Sequence, residues 1–463
     1  MKNIKLLNLK ILLLFFLFIS SFLSAQCWDS VVSGGEHTIG IKTDGTLWGW
    51  GSNTYGQLGN GTFVNSNIPI QISSENDWDL ISVGQDFTIA LKNDGTLWSW
   101  GRNLQGQLGH GNTTNISIPS QVGSDTNWTE IYTGFSQSFA KKSDGTLWSC
   151  GNNYNGQLGL GLGVNFVSVF TQIGTATDWG KIYIGTDHVL SIKNNGTIWS
   201  WGYNFFGQLG NSTTTSSNVP LQMSNDNDWM DISVCGHSSF AIKQNGTLWS
   251  WGMNNVGQLG VGNFNDILIP TQLGNATNWS KIESGGYGNT IAKKVDGTFW
   301  SWGLNDYGQL GIGNTINKNI PTIIPNLTNC NYFNFKNNHV VAIKTDGTLL
   351  LWGKNTEGQI GDNSIINKYL PTIITCPSLS NEIININHEF FLFPNPTVGK
   401  LNITNSQNVI DRIELFDLNG RVIMSKSVNN YECYIDLLDL PSSSYLVKIY
   451  TNNDIYNKIV FKQ

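Results

Sequence analysis

The chain has 463 residues, 40% of them hydrophobic and only 13% charged, with a net charge of −6. A large core is available, and an acidic balance with no basic run lacks the electrostatic footprint of a nucleic-acid binder. The 51 glycines and 18 tryptophans suit a turn-rich all-β protein better than a helical or disordered one.

At the N-terminus, lysines precede the apolar run ILLLFFLFISSFL, and the small residues of SAQ follow it. This reads as a cleavable export signal over residues 1–25. A spanning helix needs roughly 20 apolar residues, so no transmembrane anchor is expected.

From residue 28 the string DGTLWSWG, followed by GQLG, returns along the chain. The first glycine of GQLG or its equivalent stands at Gly56, Gly106, Gly156, Gly207, Gly257, Gly308 and Gly358, a spacing of 50 or 51. Each unit carries Asp-Gly or Asn-Gly before the Thr-Leu-Trp segment or its equivalent, a tight hairpin turn between two alternating strands. Three tryptophan positions per unit absorb all 18 tryptophans, with Cys150, Cys330 and Leu350 in the vacant positions. A four-stranded unit cannot cover both its faces alone. Seven uniform copies without atypical caps predict a closed seven-bladed β-propeller over residues 27–376.

These units resemble the repeats of the regulator of chromosome condensation family, through the Gly-His-Thr-like segment, the DG-xx-W-xx-G hairpin and the N-xx-GQLG turn. His37, His188 and His339 occupy that family's histidine position. The resemblance implies that repeat and blade are out of register, so that the two chain ends complete one blade together. Cys27 and Cys376 sit at those ends, where a closing disulfide and two separate thiols are both open.

Residues 377–389 read as a linker and 390–463 as a second, β-sandwich domain, with strands divided by Pro-Asn-Pro, Asn-Gly and Pro-Ser turns. The segment is similar to the type A C-terminal sorting domain of the type IX secretion system of Bacteroidetes. The matching residues are Pro394, Asn395, Pro396, Gly399, Asp417, Gly420, Arg421 and Tyr445; Ser443 departs from the usual glycine. The resemblance implies recognition by the type IX machinery and delivery to the outer-membrane surface or the medium.

No zinc-ligand spacing, Walker, GxSxG or HExxH string occurs, so neither catalytic residues nor a metal or cofactor is expected. Lysine stands two residues before every turn Asp or Asn: Lys42, Lys92, Lys142, Lys193, Lys243, Lys294 and Lys344. A closed ring makes these either an anion-binding belt or solvated strand-end lysines neutralised by nearby aspartates. Binding specificity on a rigid repeat frame belongs to the positions where copies differ. Within N-xx-G these include Tyr55, Leu104, Tyr154, Phe205, Phe206 and Tyr307, and Leu162 to Phe170 forms a second candidate segment. The leading expectation is a monomeric, non-catalytic, secreted or surface propeller that binds a protein or glycan. The alternatives are a nucleotide-exchange regulator of a small GTPase, the activity of the family's founding member, and a polysaccharide-acting enzyme.

Overall fold

The structure, a computed structural model, describes residues 27–286, 288–376, 391–393, 397–404, 409–417, 420–451 and 455–462. The expected export signal, most of the linker and Pro394-Asn395-Pro396 lie outside the described residues. The chain divides into two compact units, Met1–Pro377 and Ser378–Gln463, and among the described residues every regular element is a strand.

The first unit contains seven antiparallel four-stranded sheets, each built from four consecutive strands. In blade 1 these are Trp28–Ser33, His37–Lys42, Leu47–Gly51 and Ser66–Ser73. The first strands of the other blades are Trp78–Val83, Trp128–Thr133, Trp179–Ile184, Trp229–Cys235, Trp279–Gly285 and Cys330–Phe335. Neighbouring first strands pack on one another all the way round, Cys330–Phe335 meeting Trp28–Ser33, so the ring closes with the first strands innermost.

The hairpin between second and third strands is set by a small polar relay. The Asp44 carboxylate accepts from the Thr46 amide at 3.0 Å and its hydroxyl at 2.5 Å, and that hydroxyl accepts the Trp48 indole N–H at 2.9 Å. Gly45 sits at φ +80°, and a Cβ there would stand 2.1 Å from the Asn76 carbonyl oxygen. Only glycine meets both demands.

Blades are joined by the loop between third and fourth strands. The Trp100 indole N–H donates to the Gln57 carbonyl of the preceding blade at 2.9 Å, and the same bond recurs from Trp201, Trp251, Trp302 and Trp352 to Gln157, Gln208, Gln258 and Gln309. Each contributes about 1 kcal/mol beyond the ring's burial. At the blade 1 and blade 7 interface the Gln359 carbonyl accepts the Thr38 hydroxyl at 2.8 Å in place of the Trp50 indole, and Trp28, Trp48 and Trp50 share one core with Val341, Ile343 and Leu351.

The out-of-register expectation is corrected here. Among the described residues no sheet combines strands from both ends: blade 1 opens with its innermost strand, Trp28–Ser33, and blade 7 closes with its outermost, Lys368–Ile374. In place of an exchanged strand, a disulfide joins Cys27 to Cys376, with Cα atoms 6.0 Å apart.

The second unit has a three-stranded sheet, Phe391–Phe393, Lys400–Thr404 and Glu432–Asp436, and a four-stranded sheet ordered Val422–Asn430, Ile410–Phe416, Ser443–Tyr450, Ile455–Lys462. Leu401, Ile403 and Ile435 of one sheet share a core with Ile413, Val447 and Ile449 of the other, the arrangement of a β-sandwich.

Candidate functional site

The loop that carries N-xx-GQLG is folded by its asparagine. The buried Asn53 side chain donates to the Thr62 and Val64 carbonyls at 2.9 and 3.2 Å and accepts the Leu58 amide at 2.9 Å. Asn103, Asn204, Asn254, Asn305 and Asn355 repeat the arrangement, and Asn153 holds the carbonyls of Leu162 and Val164. The two residues after the asparagine consequently face opposite ways. The second of them packs inward: Arg102 stacks over Tyr55 at 5.0 Å, Lys354 over Tyr307 at 5.4 Å, and Phe206 lies 5.5 Å from His237. Those three candidates are half-buried and join consecutive blades. The first is presented to solvent, and Leu104, Tyr154 and Phe205 are 55%, 62% and 65% exposed. These three lie on neighbouring blades 2, 3 and 4, whereas the equivalent positions in the other blades hold the polar Thr54, Asn255, Asp306 and Thr356. Tyr203 stacks nearly parallel on Phe205 at 6.4 Å and Phe205 meets Phe206 edge-on at 5.1 Å. Leu162, Val164 and Phe166 of the long blade 3 loop are also exposed.

The lysine belt is occupied by its own blades. Lys92 lies 4.8 and 4.6 Å above the rings of Trp78 and Trp98 and pairs with Glu75 at 2.8 Å and Asp77 at 3.2 Å. Lys42, Lys142, Lys193, Lys243 and Lys294 sit over the corresponding tryptophan pairs. The acidic partners precede the first strand, as Asp178 does for Lys193 at 2.8 Å, while the turn aspartates serve the threonine relay instead. His37, His188 and His339 are fully buried and bond hydroxyls of the next blade, Thr88, Ser239 and Thr38, at 3.2, 2.9 and 2.9 Å. Burial pulls all three imidazoles down to about 3, so they are neutral frame elements.

A cavity of about 690 Å³ runs along the ring axis. Its wall comes from positions two and four after the residue that opens each first strand, among them Glu130, Tyr132, Lys181, Tyr183, Asp231, Lys281, Glu283 and Tyr332. Lys181 pairs with Asp231 at 2.6 Å and Lys281 with Glu283 at 3.3 Å, and the Tyr183 hydroxyl donates to Glu283 at 3.0 Å. Burial, only partly offset by Lys281, pushes the Glu283 carboxyl above its ordinary range. Where the first strands end, Lys336 of blade 7 donates to the Thr133 carbonyl of blade 3, and Asn337 donates to Gln85 of blade 2. These two bonds cross the ring and close that mouth. Among the described residues, no cluster of His, Cys, Asp or Glu is placed to hold a metal.

A family model described as the RCC1-like domain matches residues 125–388, and models of the regulator of chromosome condensation repeat match 44–91 and 94–140 and also 28–57 and 78–107. The chain belongs to the RCC1-like family. Human WBSCR16 is similar in fold, with 22% identity, 70% of this chain and 92% of that chain covered, and a TM-score of 0.64. Yeast Prp20p, described by its binding to Gsp1p and histones, aligns at 20% identity over 71% of this chain and 86% of its own, with a TM-score of 0.62.

A secretion system C-terminal sorting domain matches residues 391–462. This RCC1-like propeller therefore carries a type IX delivery tag to the cell surface or beyond. Within the matched segment these residues shape turns: the Asp417 carboxylate accepts the Arg421 amide at 2.9 Å around Gly420 at φ +78°, the Thr397 hydroxyl accepts the Gly399 amide at 3.1 Å, and the Tyr445 hydroxyl donates to the Pro441 carbonyl at 2.8 Å. No helix among the described residues is long and apolar enough to cross a membrane. Sequence reasoning missed the axial cavity of the RCC1-like ring; its signal was the position two after the residue that opens each first strand, which changes from Leu80 through Glu130, Lys181 and Asp231 to Lys281.

Proposed function

We propose that this exported RCC1-like propeller is a non-catalytic binding module that holds a protein or glycan partner on the loop face of blades 2 to 4. The observation that carries this reading is that the first variable position is apolar and exposed in three consecutive blades, Leu104, Tyr154 and Phe205, and polar in the other four. Exposed aromatic side chains on a rigid frame bring large contact area at low entropic cost. The neighbouring Leu162, Val164 and Phe166 extend the apolar surface on blade 3. Delivery outside the cell places this surface against envelope or environmental molecules and away from a cytosolic GTPase, which disfavours the exchange-factor alternative.

The test is surface cross-linking on intact cells and glycan-array binding with the purified chain, run in parallel on a Tyr154→Ser/Phe205→Ser double variant. Capture of a defined partner that weakens about ten-fold in the variant, with unchanged thermal stability, is the expected result. A partner bound equally by both chains would move the site elsewhere.

A further inference from the structure

The axial cavity differs in chemistry from the loop face. Its closed mouth is sealed by Lys336 and Asn337, so access is from the opposite face, where the Asp-Gly hairpins lie. Near that opening the charges are not equally available. The Lys181 and Lys281 side chains are 54% and 36% exposed, while their acids Asp231 and Glu283 are 5% and 10% exposed. Both acids are also fixed by further bonds: Asp231 accepts the Ile282 amide at 3.1 Å, and Glu283 accepts the Tyr183 hydroxyl. Each acid stays on the wall side of its lysine and leaves the outer side of the ammonium group open to the cavity. On blade 3 Glu130, 39% exposed, pairs with the more buried Lys141. The cavity wall carries four lysines, Lys141, Lys181, Lys281 and Lys336, against three carboxylates, Glu130, Asp231 and Glu283, an excess of one positive charge in a low-dielectric wall.

The remaining lining supplies rings and neutral hydrogen-bonding groups. Lys281 lies over the rings of Phe333 and Tyr332 at 4.7 and 5.9 Å, and Ser82, Thr133 and Asn334 line the deeper part. The two lysines stand on blades 4 and 6, separated by Asp231 of blade 5, so they do not converge as a phosphate cradle does. One net charge, ring faces and dispersed hydroxyl partners match a polyhydroxylated monoanion with a ring. A volume of about 690 Å³ falls in the usual range of small-molecule sites.

We propose that the axial cavity is a binding pocket for a hexuronic acid, as a free sugar or the end of a short acidic saccharide, with its carboxylate on the exposed Lys281 ammonium group and its hydroxyls toward Lys181, Glu130 and the tyrosines. The pocket is separate from the loop face and stands or falls independently of it.

Titration calorimetry on the full chain tests this, with sodium D-glucuronate and sodium D-galacturonate as probes and D-glucose and inorganic phosphate as comparators. A uronate is expected to bind at least about ten-fold more tightly than either comparator, and Lys281→Met, which keeps the packing on Phe333, is expected to weaken it about ten-fold. Lys181→Met provides a second variant should the first unfold, and a melting curve on each separates lost binding from lost fold. Phosphate binding as tightly as uronate, equal affinity for glucose, an unaltered titration in both folded variants, or no binding of either uronate each overturns the proposal.

Discussion

Cys27 and Cys376, 349 residues apart, are covalently joined at the point where the ring begins and ends. The bond takes the place of an exchanged strand, since among the described residues blades 1 and 7 otherwise meet through side-chain packing, the Lys354–Glu36 ion pair and hydrogen bonds such as Ser33 amide to Asn334 at 3.0 Å. Cross-linking so long a loop restricts the unfolded chain strongly, and a typical stabilisation is about 2–4 kcal/mol. Cys376→Ser should lower the melting temperature by roughly 3–5 °C. Calorimetry on both chains with and without reductant checks this: reductant should lower the wild-type value toward the variant and leave the variant unchanged.

Acid should open the blades in a defined window. His37, His188 and His339 are held near 3 in the folded chain by burial, against an ordinary value of about 6.5 in the unfolded chain. A depressed histidine means that the unfolded state binds the proton first. Stability is then complete above about pH 6.5 and falls by about 1.4 kcal/mol per pH unit for each histidine as pH drops toward 3. Blade 3 carries Gln137 and blade 6 Asn289 at the equivalent register, which recommends the triple replacement by glutamine. Urea melts at several pH values should show a clearly flatter profile for the triple variant between pH 6.5 and 4; a parallel profile would move the acid sensitivity elsewhere.

The lysine belt is predicted to act through stability and not through anion capture. Lys92 is 7% exposed between two tryptophan rings and two carboxylates. Replacing it with methionine keeps the stem but leaves Asp77 and Glu75 without their cation, at a cost of about 1–2 kcal/mol. Lys344, with Cys330 and Leu350 where the tryptophans would be, should tolerate the same change with about half that loss. Heparin-column retention should be unaltered in both variants, whereas reduced retention would restore the belt as an anion site.

These contrasts show where the sequence was informative. Tryptophan and Asp-Gly positions recur because most blades use the same indole staple and the same threonine relay, so Trp100 and Asp44 announce their environments by repetition alone. Repetition is silent where copies must differ. Leu104 and Gln105 are adjacent, yet one meets solvent and the other packs inward, a distinction made by the buried Asn103. Lys281 and Glu283 read as ordinary strand polars until the closed ring makes their strand innermost and turns both side chains to the axis. The shared closing blade that the family resemblance implies does not form among the described residues, because Trp28 already begins blade 1's innermost strand and Lys368–Ile374 completes blade 7.

The sorting tail should be separable from the propeller it delivers. Its core, including Leu401, Ile413, Val447 and Tyr445, is made within the second unit, while the disulfide completes the first before the linker begins. Removing residues 390–463 should therefore leave a folded ring with an unchanged melting transition that no longer reaches the surface or medium. A milder lesion is Asp417→Ala, which removes the carboxylate holding the Arg421 amide and pairing with its guanidinium at 3.4 Å. Losing that turn acceptor costs the tail about 1 kcal/mol, and delivery should fall in proportion to the tail's residual folding. Immunoblots of medium, surface-shaved and periplasmic fractions read the outcome, and normal surface delivery of the truncated chain would show that the tail is not the tag.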